Sequence, residues 1–181
     1  MSTWIAFLRG IGGGIRPMLM KDLQAALEDL GLSDVQTYIQ SGNVVFRRGR
    51  TTAAKLQEQI ARRIEERFGF ESTVMVLSAA ELTRAAAGNP FAQADDEPRS
   101  VHLFFLAQRP SQPDLTAMKR LETASEAFVL ADRVLYLHTP DGFGDSKLAA
   151  RIEKLLGVPA TARNWRTVTK MLELAGEPRP A

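Results

Sequence analysis

Two hydrophobic periods take turns along this chain, and the changes between them mark out its elements. Residues 3–8 are β-branched, aromatic and apolar, which predicts a buried strand. A glycine-rich loop from Gly10 to Gly14 follows, with Pro17 after it. Leu19, Leu23, Ala26, Leu27 and Leu30 then recur at helical spacing, and Gly31 stands where a helix would stop. Residues 35–40 and 43–47 read as two strands around the turn pair Ser41-Gly42. Leu56, Ile60, Ile64 and Phe68 step by four and predict a second amphipathic helix ended by Gly69. Residues 72–77 return to strand character. Ser78 and Glu81 have the spacing of a capping box, which opens a third helix.

Residues 91–100, with Pro98 and the run Asp95-Asp96-Glu97, read as a solvated linker. The order then repeats. Residues 101–106 predict a strand, and Ser111-Gln112-Pro113-Asp114 caps a helix through Leu115, Met118 and Leu121. Residues 127–130 and 133–138 predict a strand pair. Asp145 or Ser146 can cap a helix built on Leu148, Ile152, Leu155 and Leu156, which Gly157 ends. Residues 158–161 read as a short strand, and a last helix is predicted from about Arg163 to Leu174.

Each half therefore reads β-α-β-β-α-β plus a helix. That core order is the ferredoxin-like split βαβ arrangement. The expected fold class is α+β, a duplicated ferredoxin-like protein of two-layer sheet–helix sandwiches. One half is expected over residues 1–90 and the other over residues 101–181. Helices cover one face of such a sheet; the second half is available to cover the other.

Certain runs also resemble a known family. Leu8-Arg9-Gly10-Ile11, Tyr38-Ile39-Gln40-Ser41-Gly42-Asn43-Val44-Val45-Phe46, Ser146-Lys147-Leu148 and Thr161-Ala162-Arg163-Asn164-Trp165 resemble the motifs of the bacterial domain-of-unknown-function family 1697. The likeness spans essentially the whole chain and implies the duplicated ferredoxin-like fold. It implies no reaction. One departure stands out: the family opening continues Asn-Val-Gly-Gly and then a basic stretch. This chain has Gly12-Gly13-Gly14-Ile15-Arg16 instead.

Composition narrows the function classes. The chain has no cysteine, which excludes disulfides, thiol catalysis and cysteine-ligated zinc. No apolar run is long enough for a membrane span, and the N-terminus lacks the pattern of a secretory signal, so a cytoplasmic protein is expected. Lys and Arg number 23 against 21 acids, a net charge of +2, so any electrostatic footprint has to be local.

Several local features could carry chemistry. The Gly10–Gly14 loop suggests phosphate cradling, but it matches neither G-x-G-x-x-G nor a P-loop. Ser41, Gly42 and Asn43 are turn formers that also place a polar run at a strand end. Arg9 at the end of the first strand could grip an anion bidentately or pair with Asp22. Lys147, Arg151 and Lys154 form one helical stripe, and Arg163, Arg166 and Lys170 another. Lys147 and Arg163 are expected in first helical turns, where the dipole disfavours cations unless an anion sits there. Thr161 and Asn164 would add donors, and Trp165 completes the motif. The stripe Arg62, Arg63, Arg67 reads as solvated surface. His102 and His138 read as packing residues without metal-ligand spacing, and no metal or cofactor is expected.

The expected function is a binding module for an anionic ligand, nucleotide-like or a nucleic-acid backbone. Its site residues are Arg9, Gly10, Ser41, Gly42, Asn43, Lys147, Arg163, Asn164 and Trp165. Two other classes remain open. One is a metal-independent enzyme with a pocket between the halves, lined by Arg9, Ser41, Asn43, Lys147 and Arg163. The other is a protein–protein module whose exposed sheet face pairs with a second copy, a homodimer.

Overall fold

The computed structural model describes residues 1–11, 18–91 and 94–178. Of the loop predicted from Gly10 to Gly14, residues 12–14 lie outside the described residues, as does Pro17 after it. Contacts group the chain into two compact units, Met1–Ala87 with Lys170–Ala181, and Gly88–Thr169.

The first unit contains β1 (Ser2–Leu8), α1 (Met20–Glu28), β2 (Ser33–Tyr38), β3 (Asn43–Arg48), α2 (Ala53–Phe68), β4 (Val74–Ser78) and α3 (Ala79–Ala87). Its sheet is antiparallel with strand order β2-β3-β1-β4. Pleating sends Ala6, Leu8, Val44, Phe46, Val74 and Val76 to one face. There they pack with Leu23 and Leu27 of α1 and Leu56, Ile60 and Ile64 of α2 in one cluster. The opposite face is buried too: Ile5 and Phe7 are fully enclosed and Met75 nearly so.

Local chemistry sets the element ends. The Ser78–Glu81 capping box forms, with the Ser78 amide donating to Glu81 Oε2 at 2.8 Å and the Glu81 amide to Ser78 Oγ at 3.2 Å. At the C-terminal end of α1, the Arg48 guanidinium donates to the carbonyls of Leu30 (3.1 Å) and Gly31 (2.6 Å). Two arginines of the stripe read as solvated surface tie α2 to α1: Arg67 and Arg63 stand 3.0 and 3.9 Å from Asp29.

The second unit contains β5 (Val101–Leu106), α4 (Leu115–Leu121), β6 (Ala127–Ala131), β7 (Val134–His138), a 3-10 turn (Ala149–Arg151), α5 (Ile152–Leu156) and β8 (Ala160–Asn164). Its strand order, β6-β7-β5-β8, repeats that of the first sheet, and all its pairs are antiparallel. Phe104, Leu106, Leu135 and Leu137 form its core with Met118 of α4 and Leu148, Ile152 and Leu156. The last helix, α6 (Trp165–Ala175), passes from the second unit into the residues grouped with the first.

Two boundaries differ from expectation. The strand expected over residues 35–40 ends at Tyr38, because Ile39 adopts φ +48° and turns the chain. The last helix starts at Trp165 rather than near Arg163. β8 continues through Asn164, because Arg163 and Asn164 stay in register with Leu103 and His102 of β5.

Candidate functional site

In the first unit the structure gathers five of the expected site residues at one end of the sheet. The Leu8 amide donates to the Gly42 carbonyl at 2.8 Å, which brings Arg9 and Gly10 beside the loop Ser41-Gly42-Asn43. Gly42 has φ +70°, and a Cβ there would lie 2.8 Å from the Leu8 Cβ. Only glycine fits so close an approach. Asn43 is fully buried, and its amide donates to Tyr38 O (3.1 Å) and Ser41 Oγ (2.9 Å). A third loop joins them: the Arg9 amide donates to Thr73 O at 2.9 Å, and Ser72 Oγ donates to Arg9 O at 2.8 Å. The Ser41-Gly42-Asn43 side of this cluster is thus built for backbone closure, while Arg9 and Gly10 remain exposed.

In the second unit, Arg163 is a strand residue and not a first-turn helical cation. Its guanidinium donates at 2.8 Å to both Thr161 Oγ1 and Ala162 O. Burial pulls its pKa down to about 10. Lys147 likewise precedes only a 3-10 turn and a five-residue helix, so the expected first-turn placement fails there too. Ser146 still works as a cap, accepting from the Ala149 amide at 3.0 Å. Asn164 accepts from the Thr167 amide at 2.9 Å and so caps α6. Trp165 is buried, and its indole N–H donates to Asp95 at 2.9 Å. Asp95 therefore anchors the segment that was expected to be a solvated linker.

Arg166, next in the same predicted stripe, does reach a cleft. A cleft of about 440 Å³ is lined by Glu97, Pro98, Arg99, Ser100, Thr139, Pro140, Gly142 and Arg166. Backbone pairing assembles it: the Thr139 amide donates to Ser100 O at 2.8 Å, joining the start of β5 to the end of β7. Among the described residues, neither the Arg99 nor the Arg166 guanidinium has an ion pair or hydrogen bond. The first turn of α6 holds no acid, so Arg166 stands against the helix dipole. Arg99 was missed in the sequence because it lies in the supposed linker. Only strand pairing brings it beside Thr139.

Beneath the same strand ends, His102 stacks on Phe143 with ring centroids 3.8 Å apart and 18° between planes. Burial pushes the His102 pKa down to about 4, so the imidazole is neutral at pH 7. His138 packs near Phe91, with ring centroids 5.6 Å apart. The first unit has a larger cleft of about 620 Å³ that includes Glu28, Asp34 and Arg47. There Arg47 already faces Asp34 at 3.6 Å, so its charge is met from within.

Two four-stranded antiparallel sheets of ferredoxin-like strand order, each packed with helices, define an α+β protein of two halves. A solved structure shares this fold across almost its full length. It is the conserved bacterial protein SP0830 from Streptococcus pneumoniae, with TM-score 0.71 and 23% identity over 96% of this chain and 98% of that one. The model of the family described as protein of unknown function (DUF1697) matches residues 1–136, and this chain belongs to that family. No curated protein matches it. Among the described residues, no helix is long and apolar enough to cross a membrane.

Proposed function

We propose that this protein binds a small anionic ligand of nucleotide-like, phosphate-bearing character in the cleft of the second unit. The reading is carried by one observation: Arg99 and Arg166 line a single cleft and find no acidic partner among the described residues. Two guanidinium groups can grip phosphate oxygens in a fork geometry. The Ser100 and Thr139 hydroxyls donate to the Glu97 and Ser100 carbonyls and so shape the cleft wall, and the N-terminus of α6 favours negative charge. In this reading Asn164 and Trp165 are positioning residues, since one caps α6 and the other anchors its start to Asp95. Arg163 supports β8. Arg9, Gly10, Ser41, Gly42, Asn43 and Lys147 lie outside this cleft and are left without a ligand role. Glu97 at the rim would select against a ligand of uniformly high negative charge.

The cleft volume suits one small molecule, and a net charge of +2 offers little to a long polyanion. The test is calorimetric titration with AMP and inorganic pyrophosphate, beside anisotropy of a labelled single-stranded oligonucleotide. Saturable binding of a small anion, lost in both Arg99→Ala and Arg166→Ala with folding intact, is expected. Binding of the oligonucleotide alone, or equal binding by the variants, overturns the reading.

A further inference from the structure

The cleft of the second unit holds charges of both signs. Glu97 lines it together with Arg99 and Arg166. Among the described residues, its carboxylate makes no ion pair with either guanidinium and no hydrogen bond. It is also the one acid lining the cleft among the described residues. Nearby, Asp95 accepts from the Trp165 indole, and Asp141 accepts from Ser125.

The backbone frame holds these groups in place. Residues 97–100 form a turn: the Ser100 amide and the Ser100 hydroxyl both donate to Glu97 O, at 2.9 and 2.8 Å. Pro98 stiffens that turn by fixing its own φ. The Thr139 amide on Ser100 O ties the turn to β7. The Trp165 indole on Asp95 ties the preceding segment to the start of α6, which carries Arg166. Glu97 serves this frame only through its backbone carbonyl, which leaves its carboxylate to the cleft.

We infer, on the basis of the phosphate-binding reading above, that the ligand is a guanine mononucleotide whose base edge is taken by Glu97 while Arg99 and Arg166 hold its phosphate. A carboxylate only accepts hydrogen bonds, so the group that faces it has to donate. Guanine places two donors side by side, the ring N1–H and the 2-amino group, and so meets both oxygens of one carboxylate. Adenine and cytosine set a bare ring nitrogen beside their amino group, and uracil sets its N–H between two carbonyls. Each of these brings a lone pair against the carboxylate. The remaining lining suits a flat ring. Pro98 and Pro140 supply apolar wall, and the hydroxyls of Ser100 and Thr139 are turned to backbone carbonyls. A cleft of about 440 Å³ has room for a base and ribose beside the phosphate.

Calorimetric titration of the full chain with GMP, IMP, AMP and inorganic pyrophosphate tests this. GMP is expected to bind about tenfold more tightly than AMP, the scale of a charge-assisted hydrogen bond at an exposed site. IMP lacks the 2-amino group and should fall between them. Glu97→Gln turns one acceptor into a donor, so GMP is expected to drop to the level of AMP. Pyrophosphate has no base and is expected to bind this variant more tightly, because a nearby negative charge is gone. Equal binding of GMP and AMP by the wild type, a preference for GMP that survives Glu97→Gln, or loss of pyrophosphate binding in that variant overturns the guanine assignment. The phosphate-binding reading survives those results if Arg99→Ala and Arg166→Ala still abolish binding. Absence of binding by all four compounds overturns both.

Discussion

His102 couples the stability of the fold to pH, and the size of the effect follows from its surroundings. The ring lies under Phe143 on the core side of the second sheet, near Phe104. Its Nδ1 is buried without a partner among the described residues. Charging this imidazole would place a cation in an apolar pocket, so its pKa falls from 6.5 to about 4. In the unfolded chain the same group titrates near 6.5. Between these values the unfolded state holds a proton that the folded state lacks. The stabilisation is therefore complete above about pH 6.5 and is lost as pH falls from there towards 4. From about pH 7.5 to about pH 5 the loss amounts to roughly 2 kcal/mol. Other groups titrate over the same range, so the informative quantity is the difference between the wild type and a variant with no titrating ring. His102→Phe keeps an aromatic plane against Phe143. Urea unfolding followed by circular dichroism at both pH values is expected to show the wild type losing about 2 kcal/mol more than the variant. The His102 ring resonances in NMR should stay in the neutral position down to about pH 5. Equal losses for the two chains, or a ring that titrates near 6.5, would refute the argument.

Three further outcomes concern the first unit. Ile39 is β-branched, 53% exposed and held at φ +48°, so its side chain returns little packing for its backbone strain. Ile39→Gly is expected to raise unfolding free energy by roughly 0.5–1 kcal/mol in urea titrations, after the extra entropy of glycine is subtracted. Gly42→Ala, three residues on, should cost about 2 kcal/mol or more, because its Cβ would meet Leu8. Arg48→Ala removes the side chain that closes the end of α1. A loss of about 1 kcal/mol, with faster amide exchange confined to the C-terminal turn of α1 and the turn after it, is expected.

Most of the architecture was legible in the chain itself, because hydrophobic period and capping chemistry are local. The capping box at Ser78 and the left-handed stops at Gly69 and Gly157 form where the residue types place them, while the cap expected over Ser111–Asp114 is made by Asp114 alone, which accepts from the Ala117 amide. So does the repeated strand–helix order, from which the two sheets and their matching strand orders follow. The candidate site was less legible, because it depends on where one element yields to the next. A shift of about two residues at the start of α6, set by β8 pairing with β5, turned Arg163 into a strand residue and left Arg166 at the cleft. Tertiary structure alone decided which strands became edges. In sequence Gln57 and Asp34 look like ordinary surface residues and Arg163 like an anion-binding cation. Their use on edge strands, Gln57 on the Val76 amide of β4, Arg163 on the Ala162 carbonyl of β8 and Asp34 in the register shift of β2, exists only once those strands are outermost. The desolvation of His102 is of the same kind: its partner Phe143 is distant in sequence, and a pKa responds to what surrounds a group in space.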